Sequence, residues 1–268
     1  MIVDVHAHLL TQQGYEHHLA KAAHEAGIEK MVLAGGPKQY DCASNDDVLA
    51  AAERYPELFI PFAYFRLGHD YPALVAQFRS QGFHGLHFAL PQEDYDDKGY
   101  YLAYAQAGQL GMPCLFELGL LPNSGRDHVH DVCCARMRPI CLDSVARAFP
   151  ELTIIGTQLG SPWCEEACEV ARCNANVYLD LSGGVLKRKP PESLGRLLWW
   201  GRPDSEYGNG PPPIGPWKKI VFGSGVHYKY LPNVKSDYET LMIQLSLDGE
   251  TIADLMARNA IRALGLDY

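Results

Sequence analysis

Short apolar runs alternate with longer amphipathic ones along the whole chain, and the spacing predicts eight strands separated by helices. Ile2, Val3 and Val5 make a first strand. Leu19, Ala22, Ala23 and Ala26 then fall at i, i+3, i+4 and i+7, the period of a helix face, and Gly27 closes that helix. Ile28 to Leu33 reads as strand 2, broken by Gly35, Gly36 and Pro37. Ser44 with Asp47 three residues on is a helix start, with Val48, Leu49 and Ala52 facing inward and Pro56 ending the run. Phe59 to Phe65 is strand 3, and Tyr71 to Gln81 a helix. Gly85 to Phe88 is strand 4, and Tyr100 to Leu110 a helix stopped by Gly111.

Cys114 to Glu117 is strand 5, followed by a long polar loop from Gly119 to Pro139. Leu142, Val145, Ala146 and Phe149 mark the next helix, stopped by Pro150. Thr153 to Thr157 is strand 6, Cys164 to Cys173 a helix, and Val177 to Leu181 strand 7. The Gly- and Pro-rich residues 201 to 216 read as a surface loop, and Ile220 to Phe222 is strand 8. Tyr238, Leu241, Met242 and Leu245 mark one more helix, and Thr251 to Leu264 ends the chain. Strands that alternate with helices ask for a parallel sheet, and eight repeats close it into a TIM (β/α)8 barrel of the α/β class. The competing open sheet wants a Gly-rich first turn, which the stretch after Val5 does not provide.

The length, 268 residues, suits a single barrel domain spanning the chain. The net charge of −9, with no basic run, argues against nucleic acid and anionic membrane as partners. No apolar run is long enough to span a bilayer, and the first residues do not resemble a signal peptide, so a cytoplasmic protein is expected. The eight cysteines contain no Cys-x-x-Cys pair, and reduced thiols are the expectation. Cys164 and Cys168, one helical turn apart, read as small buried side chains before they read as shared ligands. Cys133 and Cys134, in the long loop, are the redox candidates.

Chemistry enters at the end of strand 1. Residues two apart on an extended strand point the same way, so His6 and His8 present two imidazoles to one point, half of a metal site. In a barrel the carboxyl ends of the strands carry function, which draws in His87 at the end of strand 4 and Glu117 at the end of strand 5. His227, two residues past Gly225, can reach the same mouth. Asp127-His-Val-His130 is a second His-x-His pair, read as a solvated loop.

At this point the chain resembles the amidohydrolase superfamily, in its amidohydrolase-related branch of metal-dependent hydrolases and non-oxidative decarboxylases. The resemblance rests on Asp4-Val-His-Ala-His8, on the run from Arg138 to Leu152, and on Leu159 to Trp163 with Asn176 to Asp180. Phe222-Gly-Ser224 and the ending from Asn259 to Gly265 complete it. The family pattern places a histidine at the end of strand 5, where this chain has Glu117. It places another before Leu-Gly at strand 6, where Gln158 stands, and an aspartate after strand 8, where Gly225 stands. The resemblance therefore implies a divalent metal, zinc first and manganese second, in an altered site of His6, His8 and Glu117. His87, Gln158 and His227 are the catalytic candidates, and Arg66 and Arg138 are candidates to hold an anionic small-molecule substrate by bidentate contacts. Hydrolysis of a lactone or amide leads, and decarboxylation follows. A non-catalytic barrel that binds a metabolite or a partner is the alternative from another class. The sequence leaves open whether the chain forms a homo-oligomer.

Overall fold

A computed structural model describes residues 1–123, 132–200 and 215–267. Eight parallel strands follow one another in sequence order around a nearly closed barrel. They are β1 (Val3–His8), β2 (Lys30–Ala34), β3 (Phe59–Tyr64), β4 (Gly85–Phe88), β5 (Cys114–Phe116), β6 (Ile154–Gly156), β7 (Val177–Asp180) and β8 (Ile220–Val221). The last strand meets the first through Val5 N–H to the Phe222 carbonyl at 2.9 Å and Gly225 N–H to the His6 carbonyl at 2.7 Å. Asp4 ties the same seam, since its Oδ1 accepts the amides of both His6 and Ser224 at 2.9 Å. Among the described residues no helix is long and apolar enough to cross a membrane.

A single irregularity in β1 decides what faces the mouth. Asp4 pairs with Met31 and Ala7 with Leu33, so three residues on β1 advance against two on β2, a one-residue bulge. A slip of one residue exchanges the two faces of a strand. Below the bulge, Val3 and Val5 pack in the barrel interior with Val32, Ile60, Leu115, Ile155 and Val221, while beyond it Ala7 and Leu9 join the outer core under the helices. His6 and His8 therefore stand on the inner face directly above the valines. The amide of His6, which the bulge takes out of the ladder, is the one Asp4 accepts.

The C-terminal segment plugs the opposite end. Ala257, Ala260, Ala263 and Leu264 pack on the interior valines, and the Leu264 carbonyl faces His84 Nε2 at 2.6 Å, just before β4. The segment that ends the chain is three pieces: Gly249–Ala253, a π turn at Asp254–Arg258, and Asn259–Leu264. Two short helices, Val185–Arg188 and Pro191–Leu197, lie after β7 where the sequence gives too few turns to show a period. Cys164 and Cys168 are buried in the outer core, as their small size suggests. Asp127 to His130 and residues 201–214 of the Gly/Pro-rich loop lie outside the described residues.

Lys219 fixes the entry to the last two strands. Its ammonium is buried and donates to the carbonyls of Asn174, Ala175 and Val177 at 2.6–2.9 Å, over the Tyr178 ring. Burial pushes it down to about 8, so it stays charged at neutral pH. Lys219→Met leaves three carbonyls without this donor and is expected to cost about 2 kcal/mol, read as a lower denaturation midpoint at unchanged slope.

Candidate metal centre

Three donor atoms from two strands converge at the floor of the mouth. His6 Nε2 stands 3.0 Å from His8 Nε2 and 3.0 Å from Glu117 Oε1, and His8 Nε2 stands 3.2 Å from the same oxygen. Donors around one small divalent ion with bonds of about 2.0–2.2 Å stand roughly 3–3.4 Å apart, so the triangle has the size such an ion asks for. The set of two imidazoles and one carboxylate suits zinc or manganese. It is buried on one side and opens on the other into a cavity of about 530 Å³.

The surroundings orient these donors. His6 Nδ1 lies 2.9 Å from Asp180 Oδ2 and 3.0 Å from Ser182 Oγ. A carboxylate can only accept, so the Nδ1 proton goes to Asp180 and Nε2 is left to face the site. Asp180 is itself held, its Oδ1 accepting the amides of Gln158 at 2.7 Å and Ser182 at 2.8 Å. Glu117 Oε2 accepts from the Thr157 hydroxyl at 3.0 Å and the Gln158 amide at 3.2 Å. The Tyr95 hydroxyl donates to the Glu117 carbonyl at 2.8 Å from below.

The converging charges hold one another. Burial alone would pull His6 down, but Glu117 and Asp180 on its two sides outweigh it and hold the imidazole well above the ordinary histidine range. Burial alone would raise Glu117, but His6, with His8 and His87, holds it well below the usual carboxylate range. Burial pushes His8 down to about 4, with His6 and His87 adding to it against the hydrogen bond to Glu117. Two buried nitrogens at this centre, His8 Nδ1 and His87 Nε2, have no hydrogen-bond partner among the described residues.

His87 comes from β4. Its Nδ1 donates to the Gly35 carbonyl at 3.0 Å, which turns Nε2 toward Glu117 Oε1 at 3.5 Å. Gln158 lines the cavity, but its amide is turned onto Glu117. His227 lines the outer wall, with its ring edge against Tyr15 and its Nε2 3.4 Å from Gln12 Oε1. Arg66 and Arg138 are placed elsewhere. Arg66 closes on Asp70 four residues on, at 2.6 Å, and Arg138 pairs with Glu166 over the Trp163 ring. Each guanidinium is thus satisfied by a neighbouring carboxylate, and neither lines the cavity.

The structure adds Asp4, Thr157, Asp180 and Ser182 to the site. Asp180 ends β7, and an aspartate at the carboxyl end of a barrel strand is the signal by which it could have been found. Gly225, which stands where the family pattern has aspartate, has φ +59°, and a Cβ there would lie 2.9 Å from Ser182 Cβ and 3.1 Å from His6 Cε1.

Comparison with known proteins agrees with this architecture. The family described as Amidohydrolase matches residues 3–266. No curated protein matches the sequence. An uncharacterised TIM-barrel protein from Bordetella bronchiseptica superimposes with a TM-score of 0.73 at 19% identity, over 98% of each chain. A 2,6-dihydroxybenzoate decarboxylase from Rhizobium does so with a TM-score of 0.69 at 16% identity, over 100% of this chain and 99% of that one. A probable 2-pyrone-4,6-dicarboxylic acid hydrolase from Acinetobacter baumannii, with citric acid bound, gives 0.64 at 13% identity over 99% of both. At such identities the likeness is one of fold.

Proposed function

Since the chain belongs to the amidohydrolase family, we propose that it is a metal-dependent enzyme that hydrolyses a small carbonyl compound, a lactone or an amide. The observation that carries this reading is the triangle of His6 Nε2, His8 Nε2 and Glu117 Oε1 at the floor of an open cavity. A divalent ion held there, zinc before manganese, would polarise the substrate carbonyl and make a water more acidic. Eight free thiols suit a reducing, cytoplasmic setting.

The chain's own groups supply the rest. Asp180 and Ser182 keep His6 in the tautomer that faces the substrate. His87 is the base, because its Nδ1 is committed to Gly35 and its Nε2 is buried beside Glu117 without another partner. It takes a proton from the attacking water and returns it to the leaving oxygen or nitrogen. The walls, with Leu10, Tyr15, Tyr40, Leu121, Leu186 and Val226, exclude water and favour an apolar substrate body.

A second reading is decarboxylation, the activity named for the Rhizobium protein that shares this fold. In that case His87 would deliver a proton to the carbon from which carbon dioxide departs.

Elemental analysis of protein purified without added metal tests the core of the proposal. About one zinc or manganese per chain is expected from a site of this donor set, and a metal-free protein that takes up neither ion would favour the non-catalytic barrel. His87→Gln is expected to keep the metal and lower kcat about a hundredfold, measured on whichever of a lactone, amide or aromatic acid panel the protein turns over. Turnover undiminished in this variant would remove His87 from the mechanism.

A further inference from the structure

Glu117 is the ligand that departs from the family pattern, and its two oxygens live in different surroundings. Oε1 faces His6, His8 and His87 at 3.0, 3.2 and 3.5 Å. Oε2 faces away from them and accepts two hydrogen bonds, from Thr157 Oγ1 at 3.0 Å and Gln158 Nε2 at 3.2 Å. A carboxylate oxygen has two lone-pair sites, so Oε2 has none left for an ion.

Both donors are themselves fixed. Thr157 is fully buried, and its hydroxyl oxygen already accepts the amide of Leu118 at 3.1 Å, which commits the hydroxyl proton to Glu117. Gln158 has φ +56° and Leu159 φ +47°, two consecutive left-handed residues that are not glycine. That conformation is costly and persists only where the surroundings impose it. It is anchored by the Gln158 amide on Asp180 and delivers the side chain to Glu117. The residue that stands in place of the family pattern's strand 6 histidine thus supports Glu117 from strand 5.

We propose that Thr157 and Gln158 clamp one oxygen of Glu117, so that the carboxylate offers the ion a single oxygen and the site selects a four-coordinate ion, zinc, over manganese. The inference rests on the metal-binding reading above. Zinc is content with few ligands in a tetrahedral arrangement, whereas hard ions that take six or more gain from a carboxylate that swings to give both oxygens. Thr157 and Gln158 are positioning residues here, because they act on the ion through Glu117.

The test uses the full chain stripped by a chelator, with zinc, manganese and cobalt as the probes. Affinities for zinc and manganese are read by competition with a chromophoric chelator, and cobalt coordination by visible absorption. The wild type is expected to prefer zinc and to give the intense cobalt bands of a four-coordinate site. Thr157→Val with Gln158→Met removes both donors at similar size. Zinc affinity is then expected to fall about 10- to 100-fold, with manganese changed less and the cobalt bands weakened as the coordination number rises. Thr157→Ser keeps the hydroxyl and is expected to behave as wild type. A folded double variant with the wild-type zinc-to-manganese ratio and cobalt spectrum would overturn the clamp while leaving the metal site standing. A wild-type protein that binds none of the three ions would overturn both. If the double variant does not fold, the contrast between Thr157→Val and Thr157→Ser decides: equal ratios and spectra overturn the clamp, and a loss confined to valine supports it.

Discussion

Glu117→Gln is expected to empty the site while leaving the barrel intact. Glu117 brings the one formal negative charge among the three converging donors, and its Oε1 is within 3.2 Å of both histidine nitrogens. Glutamine keeps the size, but the two donors on Oε2, Thr157 and Gln158, demand an acceptor there. The new amide therefore turns its oxygen toward them and its NH2 toward His6 and His8, setting a donor where a ligand is needed. Affinity for zinc is expected to fall more than about a hundredfold, beyond the range seen when only an outer partner is lost, and metal-dependent turnover should vanish with it. The far-ultraviolet circular dichroism should not change, because the interior valines and the C-terminal plug close the barrel without an ion. Elemental analysis of wild type and variant, prepared side by side, makes the comparison. Equal metal content would show that Glu117 is not a ligand and would move the site to His87 or His227.

Much of this arrangement could be read along the chain, and the part that could not has a physical cause. Interior strands of a parallel barrel are buried on both faces, so they appear as short apolar runs between Gly and Pro, and all eight were visible on that basis. His6 and His8 followed from a period of two. Their height above Val3 and Val5 did not, because a bulge leaves no mark in apolar alternation over so short a strand. Asp180, Thr157 and Gln158 act on side chains from other strands, at sequence separations of 22 to 174 residues, and those contacts depend on barrel twist rather than on local spacing. Arg66 had a partner four residues on, Asp70, whereas Glu166 lies 28 residues from Arg138 and comes close only in the folded chain.

Gly225→Asp puts back the residue type of the family pattern, and it is expected to destabilise the protein rather than to add a ligand. Gly225 has φ +59°, where an L side chain costs about 1 kcal/mol. The Cβ would then meet Ser182 Cβ at 2.9 Å, Ser182 Oγ at 3.0 Å and His6 Cε1 at 3.1 Å, and overpacking of this kind costs about 1–3 kcal/mol. The sum, about 3 kcal/mol, corresponds to a Tm lower by roughly 6–12 °C in a chain of this size. The cause lies across the seam of the barrel. Ser182 and Asp180, from the end of β7, occupy the side of His6 that a strand 8 carboxylate would use. The negative charge beside His6 has not been lost with the aspartate; it comes from Asp180 behind the ring and Glu117 in front. Adding Ser182→Gly to Gly225→Asp removes the nearest Cβ and is expected to recover part of the Tm. A single Gly225→Asp variant that melts like wild type and binds zinc more tightly would show that the mouth has room for both carboxylates, and that Ser182 does not hold the strand 8 position closed.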